Sequence, residues 1–200
     1  MFDVDQTCFE TSVSEQVALT CDNLRIKMTY TQWYDSPLGK MLLAADGAGL
    51  TGVWFNDEKF FAQYLEEQHE EKETPFLQQT KRWLDVYFSG KEPDFTVPFH
   101  FNGTDFQNTV WNILCTIPYG HTTTYGEIAK QIAHQRGLAR MSAQAVGGAV
   151  GHNGISIIVP CHRVIGANGN LTGYAGGLDK KIQLLKLEKA LSPALFRDAL

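Results

Sequence analysis

Three marked helix starts constrain this chain more than any other feature of its 200 residues. Thr104-Asp105-Phe106-Gln107 and Thr124-Tyr125-Gly126-Glu127 both have capping-box spacing. In that arrangement the first side chain accepts the amide three residues on, and the Gln or Glu reaches back to the first backbone N–H. Ser142 supplies a third N-cap ahead of Ala143. Behind the first box, Phe106, Val110, Ile113, Leu114 and Ile117 recur at helical spacing until Pro118-Tyr119-Gly120 ends the helix. The second box opens a helix predicted to run to about Ala133, with a turn at Gly137. The third helix covers Ala143–Val150, and Gly151 is placed to end it in a left-handed C′ position.

Two short helices joined by a tight turn have the outline of a helix-turn-helix. Their setting favours a polyanion. Residues 1–100 hold 8 Lys and Arg against 17 Asp and Glu, net −9, whereas residues 101–200 hold 9 against 5, net +4. The third helix, AQAVGGAV, is nevertheless small and nearly uncharged, which is unusual for reading base edges. Such a helix either approaches a groove very closely or packs in a core, with Gly147 and Gly148 serving close contact.

The first half reads differently. Lys40–Ala45 and Leu50–Phe55 read as strands around Asp46-Gly47, a hairpin signal. Glu58–Lys72 reads as a helix with Phe60, Phe61, Tyr64 and Leu65 inward and Glu66, Glu67, Glu70 and Glu71 in solvent. Pro75 precedes a second amphipathic helix near Phe76–Phe88, and Pro93 and Pro98 punctuate an extended linker. Residues 1–28 lack periodicity. The expected organisation is an N-terminal extension (1–28), an α/β domain (29–98), a helix-turn-helix domain (103–190) and a tail (191–200). A hydrophobic content of 44% supports a buried core. No apolar run approaches the roughly 20 residues of a membrane-spanning helix. The acidic N-terminus has no export signal, so Cys8, Cys21, Cys115 and Cys161 are expected as reduced thiols in the cytoplasm, Cys115 buried in mid-helix.

The chemistry concentrates at one cysteine. Ile155–Val159 is an apolar, β-branched run typical of a buried strand, stopped by Pro160. Cys161, His162 and Arg163 follow, so a thiol meets an imidazole and a guanidinium where strand passes into loop. An unperturbed thiol, with a pKa near ~8.5, is mostly protonated at neutral pH. A base or nearby cation raises the fraction of thiolate, which is the nucleophile. Downstream, Gly166–Gly177 is glycine-rich but lacks the Lys-Ser/Thr ending of a phosphate loop. Its glycines suit backbone approach to a flat ligand, with Tyr174 as a stacking or donor group. A closing helix, Asp179–Leu191, carries Glu188, whose carboxylate can orient an imidazole.

Taken together, these segments resemble the O6-alkylguanine-DNA alkyltransferases. The resemblance rests on Val159-Pro-Cys-His-Arg-Val164, Ala145-Val-Gly-Gly-Ala149 and Gly151-His-Asn153. It also takes in Pro118-Tyr-Gly120, Thr124-Tyr-Gly-Glu127 and Gly173-Tyr-Ala-Gly-Gly-Leu178, and spans about residues 103–190. Residues 29–98 look like the family's variable N-terminal domain. The resemblance implies a small ribonuclease H-like α/β domain, with an antiparallel sheet, followed by a mainly helical domain with a winged helix-turn-helix-like motif. It implies direct repair: an alkylated guanine is flipped out of double-stranded DNA, approached from the minor groove, and its alkyl group moves irreversibly to Cys161. By position, His162 is the base acting through a water, Glu188 orients it, Asn153 braces the turn, and Tyr125 donates to the departing guanine. Val159, Tyr174, Ala175, Gly176 and Gly177 would line the base pocket. Ser142, Gln144, Ala145, Gly147 and Arg163 would face DNA.

Three departures from the family pattern stand out. Gln144 occupies a position where arginine commonly fills the gap left by the flipped base. Ala175 replaces a frequent serine. Gly154 follows Asn153 where proline is frequent, which predicts a looser turn. Cys8 and Cys21 lack a histidine pair, so no metal and no cofactor are expected. A monomer without membrane attachment is expected. The competing readings are a lesion-binding sensor, a sequence-specific regulator and a cysteine hydrolase. The presence of Cys161 disfavours the first, and the uncharged third helix disfavours the second.

Overall fold

The computed structural model describes residues 28–191. Strands β1 (Thr29–Ser36), β2 (Gly39–Ala45) and β3 (Leu50–Phe55) form an antiparallel meander. The β2–β3 turn closes where expected, because the Asp46 carboxylate accepts the backbone N–H groups of Ala48 (2.8 Å) and Gly49 (3.1 Å). Strand β4 (His69–Glu71) runs parallel to β1, giving the order β3-β2-β1-β4. The sheet is therefore mixed, not purely antiparallel as expected.

Helix α1 (Pro75–Phe88) starts on the Thr74 N-cap and lays Leu77, Thr80, Leu84 and Tyr87 on the core. Residues 89–101 do not swing free as a linker. Leu50 N–H donates to the Pro98 carbonyl (2.8 Å), and His100 N–H donates to that of Leu50 (3.1 Å), so this segment is pinned to the edge of β3.

The expected helix over 58–72 does not form. Residues 56–64 make successive turns, Ala62 takes a left-handed φ of 54°, and β4 begins at His69. Tertiary demand overrides the helical pattern here. Strands β2 and β3 bury both faces, and the outer cluster of Leu42, Ala44 and Trp54 is covered by Ala62, Tyr64 and Leu65. Phe61, expected inward, lies 38% exposed and stacks on Trp33.

The helical domain follows its caps. Helix α2 (Asp105–Leu114) and helix α3 (Tyr125–Gln135) both start on complete capping boxes. Helix α4 (Ala143–Gly151) starts on Ser142, whose hydroxyl accepts the Ala145 amide. Gly151 stays within this helix, and His152 is the C-cap with a negative φ, so the left-handed ending does not occur. Helix α3 instead passes into the turn through Gly137 at φ 62°. Trp111 of α2 donates its indole N–H to the Ala149 carbonyl of α4 at 2.8 Å, locking the two helices. The short strands β5 (Thr123–Thr124) and β6 (Val164–Ile165) pair in parallel beside the helix-turn-helix.

Ile155–Val159 is buried as predicted but is not a strand. It bends through Ile157 at φ 72° and pairs with β3 at the Val53–Ile155 bridge. Helix α5 (Leu178–Leu187) ends earlier than expected, with Glu188 as its C-cap and Lys189 at φ 56°. That ending turns Glu188 inward. Cys115, expected buried in mid-helix, is the exposed C-cap of α2. Cys8 and Cys21 lie outside the described residues, as do most of the expected extension and tail. Among the described residues no helix is long and apolar enough to cross a membrane, and no group of three His, Cys, Asp or Glu is placed to hold a metal.

Candidate active site

Cys161 opens a single 3₁₀ turn, Cys161–Arg163, directly after Pro160. The bend before it is shaped by Asn153. The Asn153 amide nitrogen donates to the Val159 carbonyl (2.9 Å), the Ile155 carbonyl (3.3 Å) and the Cys161 sulfur (3.1 Å). Its oxygen accepts the Ile155 amide at 3.0 Å. One side chain thus ties the end of the helix-turn-helix to the thiol.

Cys161 is 5% exposed, and burial pushes its thiol up to about 11. The charge of Glu58 adds to that rise, while the Asn153 hydrogen bond and Lys181 work against it. The resting group is a thiol, not the thiolate that a neighbouring arginine suggests. Arg163 does not offset the burial. Its side chain turns away from the sulfur and into the protein, where Nε donates to Glu188 Oε2 (2.8 Å) and Nη2 to Oε1 (3.0 Å). Nη1 donates to the Ile117 carbonyl at 2.6 Å. Arg163 is 8% exposed, so its expected place on the DNA face is corrected: it is a buried counter-ion.

Glu188 is the hub of this site. Besides Arg163 it accepts the Tyr87 hydroxyl (2.7 Å), His162 Nε2 (2.8 Å) and the Gly120 amide (3.3 Å). Burial alone would raise its pKa, but the hydrogen bonds and charges of His162 and Arg163 outweigh burial and hold it well below the usual carboxylate range. An ionised carboxylate only accepts, so the His162 proton sits on Nε2. Burial lowers the pKa of His162, against the pull of Glu188. The ring is thus a neutral base, with its lone pair on Nδ1. That atom is buried and makes no hydrogen bond to protein.

Of the remaining predicted residues, Tyr125 and Tyr174 act on the thiol. Tyr125, first residue of α3, donates to the Thr172 and Gly173 carbonyls, both at 3.2 Å. Burial, with the nearby thiol, raises its hydroxyl to about 12, so it stays a donor. A surface groove joins Tyr125, Thr172 and Gly173 to Gln144 and Gly147 of α4. Ser142, Gln144 and Ala145 are exposed, whereas Gly147 faces the Tyr125 ring. Val159 spends its carbonyl on Asn153 and the Cys161 amide. Gly177 closes a turn onto the Tyr174 carbonyl, and Gly176 packs so close to Tyr174 and Phe55 that a Cβ would lie 2.9 Å and 3.3 Å from them. The Ala175 carbonyl accepts the Lys59 amide at 3.0 Å.

Gly154 does not loosen its turn. A Cβ built there would lie 2.7 Å from the Tyr64 ring, so glycine is what lets that ring cover the bend.

Three buried polar residues escaped sequence reasoning. Tyr87 reads as one more apolar position of α1. Lys181 donates to the carbonyls of Val164 (2.6 Å), Thr172 (2.9 Å) and Gly173 (3.3 Å) and holds the loop beneath Tyr125. Its signal was present: it shares a helix face with Leu184 and Leu185 at i, i+3, i+4. Glu58 gave no signal.

A buried cysteine, a histidine fixed on a buried carboxylate and a helix-turn-helix outline a thiol-bearing protein with the means to meet nucleic acid. Comparison with known proteins narrows the class. Residues 29–101 match the family "6-O-methylguanine DNA methyltransferase, ribonuclease-like domain" and residues 105–190 match "6-O-methylguanine DNA methyltransferase, DNA binding domain". The chain belongs to the 6-O-methylguanine DNA methyltransferase family. It is 44% identical over 173 residues to the methylated-DNA–protein-cysteine methyltransferase of Mycobacterium bovis, covering 84% of this chain and 96% of that relative. The protein of the same name from Methanosarcina acetivorans is 48% identical over 159 residues, 80% of this chain and 97% of the relative. Among solved structures, Mycobacterium tuberculosis OGT in complex with DNA shares 44% identity at a TM-score of 0.68, over 84% of this chain and 99% of that one.

Proposed function

We propose that this protein repairs DNA by direct reversal, acting as a methylated-DNA–protein-cysteine S-methyltransferase on O6-alkylguanine in double-stranded DNA. The observation that carries the reading is the order Asn153–Cys161 and His162–Glu188: a braced thiol next to a neutral imidazole fixed through Nε2. The thiol proton passes to His162 Nδ1 through a water, and the Glu188 charge stabilises the imidazolium that forms. The sulfur lone pair then attacks the alkyl carbon. The C–O bond breaks toward the purine, which takes up a proton, and an S–C bond forms. Tyr125, whose hydroxyl lies at the Thr172–Gly173 edge of the groove, supplies the hydrogen bond to the departing base. Nothing regenerates the thiol, so each chain acts once.

The lesion must leave the stack to meet a buried sulfur, at a cost of about a few kcal/mol. Helix α4 carries the small residues that suit close entry into a minor groove, and Gln144, exposed on that helix, would fill the gap. We place this activity in the cytoplasm, with no cofactor.

The test is to mix the protein with duplex DNA bearing O6-methylguanine and weigh it. One methyl on the Cys161 peptide, at one equivalent and no more, supports the reading. DNA binding with unchanged mass gives a lesion sensor instead, and turnover gives a hydrolase.

A further inference from the structure

Glu58 stands outside the relay from Cys161 to Glu188. It lies in the turn after β3 and is 5% exposed. Its Oε2 accepts the Phe55 amide (3.1 Å) and the Ser156 hydroxyl (3.1 Å), and its Oε1 is buried without a hydrogen bond. Ser156 belongs to the bend that delivers Cys161. The flanking residues also reach across the domain boundary: Asp57 pairs with Lys180 of α5 at 2.6 Å, and Lys59 holds Ala175. Residues 57–59 therefore grip the bend, the pocket loop and the closing helix together.

An amide would satisfy Phe55 and Ser156 as well as a carboxyl does. A buried carboxyl with an oxygen left over is a costly way to make two hydrogen bonds. We propose that Glu58 is a positioning residue for alkyl transfer, its neutral form holding the bend in place and its ionised form restraining Cys161 as a thiol. The inference rests on Cys161 being the alkyl acceptor.

The charges around the pair are few. Asp57 and Lys180 act on Glu58 from the turn and from α5, while Lys181, Tyr174 and Tyr125 of α3 face the thiol side. Burial raises Glu58 to about 7, against the hydrogen bonds from Phe55 and Ser156. Its charged fraction then climbs from about one-tenth at pH 6 to about nine-tenths at pH 8. Each added increment of negative charge disfavours thiolate next to it.

The experiment compares parent and Glu58→Gln by the single-turnover rate on O6-methylguanine DNA and by methyl iodide alkylation of the Cys161 peptide, from pH 6 to 8.5. Equal rates at pH 6 and about a threefold to tenfold faster variant at pH 8.5 are expected from loss of one nearby charge. Parallel profiles overturn the proposal. The parent alone is also decisive, whether or not the variant folds. An isolated high-pKa thiol gains tenfold in methyl iodide reactivity per pH unit, whereas coupling to Glu58 reduces the rise between pH 6 and 8 to about 20- to 40-fold. A full 100-fold rise refutes the coupling. Methyl iodide needs no repair activity: a bent profile without methyl uptake from DNA sinks the function and leaves only the coupling of Glu58 to the thiol, and the converse sinks Glu58 alone.

Discussion

Arg163→Ala separates a structural arginine from a DNA-contacting one. In the structure Arg163 forks onto both oxygens of Glu188 and also satisfies the Ile117 carbonyl. Its side chain is 10% exposed and that of Glu188 is fully enclosed, so solvent screens the pair little. Removing one member of a buried pair costs about 3–5 kcal/mol, mostly from the charge left behind. In a chain of this size that is roughly 6–20 °C in Tm. Urea and thermal unfolding of parent, Arg163→Ala, Glu188→Gln and the double variant measure it. The double variant should lose less than the sum of the singles, since the residues share one network. Binding to undamaged duplex should keep its salt dependence, because no phosphate contact is removed. The opposite pattern, stability within about 0.5 kcal/mol of parent and a salt slope reduced by about one, would return Arg163 to the DNA face and refute the argument.

Asn153→Ala removes the amide that bonds the Cys161 sulfur and two carbonyls, so it should cost about 1–3 kcal/mol in unfolding experiments and slow methyl uptake per encounter. Gly154→Pro, which restores a residue frequent in the family, should destabilise by about 1–3 kcal/mol because its Cβ collides with Tyr64, and Tyr64→Ala should relieve that cost in a double variant. Gln144→Arg should speed repair of duplex DNA while leaving the reaction with free O6-methylguanine unchanged, as measured by quench-flow; an equal effect on both substrates rules out a role in extrusion.

The helical half was legible because its information is local. Thr104, Thr124 and Ser142 each set a helix start through a bond three residues away, and all three do so in the structure. Cys161, His162 and Glu188 were visible as a pattern of reactive types and Asn153 only through the resemblance, and the fold brings the four together. What could not be read was direction. Arg163 beside a cysteine suggests a cation for the thiolate, and only the C-cap turn at Glu188 reveals where the guanidinium goes. The 58–72 segment failed for a related reason. Its aromatics had a helical spacing, but the apolar outer face of β2 and β3 required a cover, and that need is written in Leu42 and Trp54, not in the segment itself. Tyr87 looked apolar because its hydroxyl partner lies 101 residues away.

That long-range bond from Tyr87 means the reactive half does not own its chemistry outright. The hydroxyl belongs to the sheet-bearing half, the carboxylate it meets to the last helix, and the imidazole takes its tautomer from that carboxylate. Grafting the DNA-facing half onto a foreign partner would transplant every reactive atom and still detune the proton acceptor unless a phenol arrives at the same place.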